Sequence, residues 1–241
     1  MPILTPEGET DKHFSLYELD YVLLELCKWE KTDIILDVAC GNGYYSDAIR
    51  SKVQKIYGTD LNIDLLYKAK KDFSMEVVTG NAQLLPFQSS IFTKVYCYRS
   101  FYQFPDLTHA AKEMIRVCKP EGTIVITYSN IRHPYYAVNQ LLDKMISLLF
   151  GRRLLYADRR NSLSMSKLIR MFSDMGAKLE TCYSCNISFF LIHRILIFNI
   201  ISNAHMLKIT RAARAFLKRP LCGIKPDPLA FDYVIVFKVC K

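Results

Sequence analysis

The sequence lacks the features that mark several specialised classes of protein. No stretch reaches the roughly 18 uncharged apolar residues that a membrane-spanning helix needs. Residues 1–14 lack a basic start followed by an apolar run, so a signal peptide is not expected. Internal repeats and low-complexity tracts are missing too, and the hydrophobic fraction of 51% excludes a disordered chain. We therefore expect one globular, cytoplasmic domain over residues 1–241.

The cysteines also lack a pattern of disulfide or zinc spacing. All eight are scattered, mostly in apolar stretches, which predicts buried and reduced thiols. Cys182 and Cys185 form one C-x-x-C, but no second pair and no pair of histidines at zinc-finger spacing follows. A zinc or redox role stays open beside the simpler interpretation, in which the two thiols end a strand, and no metal site is predicted.

Acidic residues are scarce in one part of the chain only. Residues 1–130 hold 14 lysines and arginines against 17 acidic residues, whereas residues 131–225 hold 16 against 4. The net charge of +9 therefore belongs to the C-terminal part. This asymmetry indicates an anionic partner, which could be a phosphorylated substrate, a membrane surface or RNA, or else a solvated basic face.

Strand and helix patterns alternate along the front half. Short, nearly continuous apolar runs predict strands buried on both faces, and helical spacing separates them, so a parallel sheet covered on both sides is expected. The strands are predicted over residues 34–39, 55–60, 75–82, 93–99, 122–130, 178–184 and 231–240. The helices are predicted over 15–29, 46–53, 62–73, 107–118, 136–150 and 164–177, with a turn over 119–122.

About 45 residues separate the last two predicted strands, which is far more than a usual connection. This stretch, 187–230, is predicted to be a helical insertion: an apolar segment is followed by a basic amphipathic one. Such a pair is typical of an element that lies on a membrane or covers an apolar substrate. We expect peripheral membrane contact through 187–219, with a packed helical cap or a dimer contact as the alternative.

A glycine turn, DVACGNG at 37–43, follows the first strand and precedes a helix. The dinucleotide fingerprint G-x-G-x-x-G is incomplete, because Ser46 replaces its third glycine. Asp37 would repel a diphosphate but would suit a cationic amine. Asp60, which ends the second strand, would accept hydrogen bonds from ribose hydroxyls. An amine-bearing nucleoside without phosphate fits these features, namely S-adenosylmethionine.

Five segments in order resemble the motifs of the class I S-adenosylmethionine-dependent methyltransferases, the broad group with small-molecule and quinone-biosynthesis enzymes. The segments are LDVACGNG, GTDLNIDLL, GNAQLLPF, VYCYRSFYQFPD and EMIRVCKPEGTIVI. The resemblance covers residues 14–130 and agrees with the last strand. It implies an α/β fold, a doubly wound, seven-stranded, mostly parallel Rossmann-like sheet whose last strand is antiparallel.

The resemblance also implies which residues hold the cofactor. They are Asp37, Ala39, Gly41, Gly43, Asp60, Leu61, Asn81, Ala82 and Tyr98. Asn81 stands where the family commonly has Asp, and it could still accept from the adenine amine. Simpler interpretations stay open: the glycines only form a tight turn, Asp60 caps the next helix, and Asn81 is a turn residue.

Methyl transfer needs an acceptor atom placed behind the methyl group, and a base only for acceptors such as hydroxyls. The family often has a histidine pair where this chain has Tyr102 and Gln103. His133 is the preferred general base, with Tyr102 as a second catalytic residue. A small hydrophobic or lipid-linked acceptor is predicted, with RNA as the alternative, although nucleic acid is disfavoured because no Asn/Asp-Pro-Pro-aromatic run follows strand four. A dinucleotide oxidoreductase and a non-catalytic binding module are further alternatives.

Overall fold

A computed structural model describes most of the front half of the chain and separate parts of the back half. The described residues are 21–130, 148, 163–185, 222, 223, 225, 227, 228, 230 and 232–240. Predictions for the helix 136–150, for His133 and for most of the insertion 187–230 lie outside these residues. Within the described ranges, no helix is long and apolar enough to cross a membrane.

One eight-stranded sheet organises the described residues. Its spatial order is β3-β2-β1-β4-β5-β8-β6-β7. The strands are β1 Ile34–Val38, β2 Lys55–Asp60, β3 Glu76–Thr79, β4 Phe92–Cys97, β5 Cys118–Ser129, β6 Ala177–Cys185, β7 Cys222–Gly223 and β8 Asp232–Val239. The first five pair in parallel, and β8 pairs antiparallel with both β5 and β6. The predicted fold class is confirmed, including the antiparallel last strand; the two-residue β7 is an addition to the seven predicted strands.

In the described part of the chain, four α-helices connect or cover these strands. They are α1 Tyr44–Arg50, α2 Ile63–Phe73, α3 Leu107–Val117 and α4 Met165–Asp174. Two of them start at side-chain caps: Asn62 accepts from the first-turn amides of α2, and Asp106 does the same for α3. The predicted helix 46–53 was placed two residues late, since the αL glycine Gly43 lets α1 begin at Tyr44.

One prediction of local structure is confirmed only in part, and another was wrong. The predicted helix 15–29 is described only from residue 21, and there it is a short π-helical turn, Val22–Leu26. The turn predicted over 119–122 is instead a bulge within β5: Phe92 pairs with Cys118, but Lys94 pairs with Thr123. The extra residues include Glu121 at φ +56°, so the turn residues remain in the strand.

Hydrophobic side chains fill both faces of the sheet. One face packs against α3 and α4, where Phe172 stacks on Phe237 with ring centroids 4.2 Å apart. The opposite face packs against the Val22–Leu26 turn and α1. Cys182 belongs to the first cluster and Cys185 to the second, so the two thiols face opposite sides of β6. This geometry supports the strand interpretation of the C-x-x-C rather than a shared metal site.

The strand order contains one topological switch point, between β1 and β4. From β1 the chain moves outward to β2 and β3, and it then returns to add β4 and β5 on the other side. In open α/β sheets, ligands bind in the crevice at the carboxyl ends of strands beside such a point. The glycine turn that follows β1 lies at this crevice.

Candidate functional site

The glycine turn combines a strained backbone with free space. Ala39, Gly41 and Gly43 have φ values of +59°, +55° and +80°, and only the two glycines adopt such values at little cost. A Cβ added to Gly43 would lie 2.9 Å from Met75 Sδ, so packing under the turn requires glycine there. Among the described residues, a Cβ on Gly41 would meet Leu65 Cδ1 at 3.9 Å and nothing nearer. The turn therefore leaves room for a ligand above Gly41.

Asp60 fastens the end of β2 to this turn. Its Oδ2 accepts from the Gly41 N–H at 2.9 Å, and its Oδ1 accepts from the Asn62 N–H at 2.8 Å. The helix that follows is capped by Asn62, so the interpretation of Asp60 as the N-cap was wrong. A carboxylate oxygen has more than one acceptor site, so both oxygens of Asp60 can accept further hydrogen bonds from a ligand.

Asp37 lies beneath the turn in a triangle of oxygen atoms. Its Oδ2 lies 2.7 Å from Ser46 Oγ and 2.7 Å from the Tyr96 hydroxyl, and those two hydroxyls are also 2.7 Å apart. All three side chains are buried. Burial raises the pKa of Asp37 to about 7, although both hydroxyls act in the opposite direction and Asp60 adds a smaller upward effect.

Ser46 and Tyr96 were missed by sequence reasoning. The parallel register pairs Asp37 directly with Tyr96, and α1 brings Ser46 over the same carboxyl. A hydroxyl within the apolar strand TKVYCYR was one available signal. Ser46, noticed only as a missing glycine, was another. Neither signal identifies its partner without the register of the sheet.

The residues predicted to hold adenine follow the carboxyl ends of β2 and β3, where Asp60 pairs with Thr79. Leu61, the next residue, is 68% exposed despite its apolar side chain, so it offers an apolar surface to a ligand. Asn81 begins a turn in which its Oδ1 accepts from the Gln83 N–H at 2.9 Å. It is therefore a turn residue, and a role toward adenine remains a prediction. Ala82 is buried in the hydrophobic core.

The loop after β4 forms the other wall of the crevice. Tyr98 is buried, and its ring centroid lies 4.2 Å from that of Tyr45 in α1. Tyr102 lies in a 3₁₀ turn, Phe101–Gln103, where the Gln103 side-chain amide approaches its hydroxyl at 3.5 Å. Tyr98 and Tyr102 thus belong to the loop that lies beside the glycine turn. The other residue predicted to be catalytic, His133, lies outside the described residues.

A cavity of about 350 Å³ opens at the carboxyl end of β5. Hydroxyl groups line part of it, and one of them, Ser129 Oγ, donates to Asp232 Oδ1 at 2.7 Å. Apolar side chains such as Met165 and Ile169 of α4 line another part. β5 is the strand next to β4, so the cavity lies beside the Tyr98–Tyr102 loop and away from Asp60.

Comparisons with known proteins agree with this geometry. The family described as Methyltransferase domain matches residues 36–126, the part that contains the glycine turn, Asp60 and β4. An uncharacterized protein of Methanocaldococcus jannaschii is 26% identical over 132 residues, which are 55% of this chain and 50% of that protein. The demethylmenaquinone methyltransferase of Bacillus cytotoxicus is 30% identical over 161 residues, which are 58% of this chain and 68% of that enzyme.

The fold also has solved relatives. One chain comes from the complex between the Haloferax volcanii Trm112 methyltransferase activator and a methyltransferase. It superposes with a TM-score of 0.62 at 16% identity and covers 94% of this chain and 91% of the other. At that identity the likeness shows the fold. The matched region spans 50% of the first of the two curated relatives above and 68% of the second.

Proposed function

We propose, since the chain belongs to the class I S-adenosylmethionine-dependent methyltransferases, that it methylates a small, largely apolar acceptor by in-line displacement. S-adenosylmethionine supplies the electrophilic methyl group and the leaving group. The observation that carries the proposal is the pair of aspartates at the glycine turn, one tied to its backbone and one buried beneath it.

Each end of the cofactor has residues in the described crevice that fit it. Asp60 keeps acceptor sites for the ribose hydroxyls. The exposed Leu61 supports an adenine contact beside it, for which Asn81 and Ala82 remain the proposed further residues. The space above Gly41 admits the nucleoside without a Cβ in the way. Asp37 is the carboxyl that would accept the ammonium group, with Ala39, Gly43 and Tyr98 completing the wall.

The cavity at β5 supports a small acceptor. Neighbouring strands lie about 4.8 Å apart, so the cavity begins roughly one strand spacing beyond the β4 loop. Its apolar and hydroxyl lining suits a compact molecule with an apolar body and a few polar groups. The relative from Bacillus cytotoxicus is named for demethylmenaquinone, also a small molecule. We propose that the acceptor enters from this side.

Within this proposal the main contribution of the protein is to hold the cofactor and the acceptor in line. Holding two reactants in line accounts for about 7–11 kcal/mol of a barrier in well-oriented reactions. Tyr102, in the 3₁₀ turn after β4, remains the residue proposed to orient the acceptor. His133 remains the proposed general base for a hydroxyl acceptor, and the chain then needs its neutral imidazole.

Lipid contact is the finer part of the proposal. The segment 187–219 lies outside the described residues, and its basic residues carry the idea by sequence alone. Replacing Lys208, Arg211, Arg214, Lys218 and Arg219 by glutamine should abolish flotation with anionic liposomes. Equal flotation of both proteins would remove membrane contact from the proposal.

The acceptor class is tested by following a tritiated methyl group. Protein and labelled cofactor are incubated with a cell extract, which is then separated into lipid, small-molecule and RNA fractions. Asp60→Ala, which lacks the proposed ribose contact, serves as the inactive control. Label in the lipid or small-molecule fraction is expected. Label in RNA would replace the proposed acceptor, and equal label with the control would count against the site.

A further inference from the structure

The oxygen triangle at Asp37 contains more contacts than the hydroxyl protons can explain. Three O···O distances of 2.7 Å join Asp37 Oδ2, Ser46 Oγ and the Tyr96 hydroxyl. Two hydroxyl groups bring two protons, and each proton serves one hydrogen bond. With an ionised Asp37, one of the three contacts would bring two lone pairs together at hydrogen-bond distance. A third proton, on Asp37, allows each oxygen to donate once and accept once.

The surroundings of the triangle also favour that third proton. Asp37 is 3% exposed, Ser46 1% and Tyr96 0%. Among the described residues, the titratable groups that act on Asp37 and Tyr96 are Asp60 at the end of β2, Cys40 in the turn and Cys97 on β4. Burial raises the pKa of both thiols, which keeps them neutral, and Asp60 disfavours a second negative charge. No described cation faces the carboxyl.

We propose that the cofactor displaces one proton from the Asp37–Ser46–Tyr96 triangle when it binds, and that Ser46 and Tyr96 are positioning residues for this exchange. The inference rests on the proposed role of Asp37 toward the ammonium group. The Oδ2–H bond would break, its proton would pass to the solvent, and the ligand's ammonium group would neutralise the carboxylate. Both hydroxyls would then donate to Oδ2 and hold the ionised carboxylate in place, and Ser46 Oγ and the Tyr96 hydroxyl would move apart from their 2.7 Å contact.

Because a proton is released when the ligand binds, affinity should depend on pH. Asp37 in the free protein is protonated below a pKa of about 7, and the bound ammonium group lowers that pKa. Affinity should therefore be independent of pH above about 7 and should fall as pH decreases. The limiting slope is about tenfold per pH unit, because one proton is released for each ligand bound.

Calorimetric titration of the full chain with S-adenosylhomocysteine tests the proposal. Titrations at pH 6 in two buffers of different ionisation enthalpy give the number of protons released. We expect close to one proton at pH 6 and close to none at pH 8. Methylthioadenosine, which keeps the nucleoside and thioether but lacks the ammonium group, should release no proton at either pH.

Two variants assign the proton to the triangle. Tyr96→Phe removes a donor to the carboxylate, so the pH at which affinity begins to fall should move upward. Asp37→Asn should bind S-adenosylhomocysteine more weakly at pH 8 and release no proton. Tyr183→Phe is the matched control, because it also removes a hydrogen-bonding hydroxyl from a largely buried tyrosine, on the distant strand β6. It should leave the pH profile unchanged.

The outcomes separate this inference from the function. Tight binding of S-adenosylhomocysteine without proton release at pH 6 would overturn the exchange and leave the methyltransferase assignment intact. Proton release that persists in Asp37→Asn would also overturn it, because another group would then carry the proton. Failure to bind S-adenosylhomocysteine at any pH would instead count against the proposed site.

Discussion

Two buried aspartates lie at opposite ends of β1, and the groups that contact their carboxyls differ. Asp33, just before the strand, receives the Lys94 ammonium group, the Thr93 hydroxyl at 2.8 Å and the Glu30 N–H at 2.8 Å. Asp37, near the other end, receives two hydroxyls and no cation from the described residues. Among the described residues, one carboxylate has a cationic partner and the other has two hydroxyl partners.

Strand β4 supplies one partner to each of the two aspartates. Lys94 and Tyr96 are two residues apart on β4, so they lie on the same face of the sheet. Trp29 lies beside both: its ring is 5.8 Å from Lys94 Nζ, and its centroid is 5.7 Å from that of Tyr96. At the amino end of β1 the buried carboxylate is thus paired with a cation of the fold itself. At the carboxyl end, which faces the crevice, the contacts of Asp37 with described side chains come from two hydroxyl groups.

The largest expected effect comes from removing the resident cation. Lys94→Met leaves Asp33 buried without its charge partner, and breaking a buried pair in this way costs about 3–5 kcal/mol of unfolding free energy. Chemical denaturation at pH 7 measures this loss. Lys55→Met, which removes an exposed ion pair with Glu76, is the control and should change stability far less. Similar losses in both variants would contradict the distinction between the two ends.

The opposite change is expected when Asp37 is neutralised. In the cofactor-free protein its pKa of about 7 exceeds the unfolded value of about 3.9, so ionising it weakens the fold as pH rises between these values. Asp37→Asn removes that penalty, by up to about 1.4 kcal/mol per pH unit within this window. Denaturation at pH 5 and pH 8 should therefore show the variant gaining relative to the parent at pH 8. A pH-independent difference would contradict the raised pKa.

The same variant, Asp37→Asn, should bind the ligand more weakly even though it gains stability relative to the parent at pH 8. Asp37→Asn cannot supply a charged acceptor to the ammonium group, and hydrogen bonds to charged groups are worth about 1.5–3 kcal/mol. The dissociation constant of S-adenosylhomocysteine at pH 8 should rise about 10- to 100-fold. Methylthioadenosine, without the ammonium group, should bind both proteins alike. Equal weakening of both ligands would show that the substitution distorts the turn.

Much of this fold was predictable because its signals are local. Apolar runs located the strands, and Asp60 could be identified from its position at the end of β2. The bulge in β5 was not predictable, since Pro120 and Gly122 give a turn signal that strand pairing overrides. The triangle at Asp37 could not be predicted either. It joins residues 9 and 59 positions away, and only the β1–β4 register brings Tyr96 opposite Asp37.

The smallest expected effects separate the two hydroxyl groups that serve these aspartates. Thr93 is a fixed part of the Asp33 site, because its Oγ donates to Asp33 and accepts from the Ile34 N–H at 3.0 Å. Thr93→Val removes the donor to Asp33 Oδ1 and the acceptor of the Ile34 N–H, and it should cost about 1–3 kcal/mol of stability without changing ligand affinity. Ser46→Ala should cost less stability at pH 6, because the protonated Asp37 can still bond to Tyr96. Ser46→Ala acts mainly on the ligand-bound state, because there the carboxylate loses one of its two donors. Affinity at pH 8 should therefore fall by roughly tenfold or less.

Denaturation measures the stability of the two variants, and calorimetry measures their ligand affinity. If Thr93→Val weakens ligand binding as much as Ser46→Ala does, the two ends of β1 are not independent, and the contrast between a structural and a ligand-binding aspartate fails.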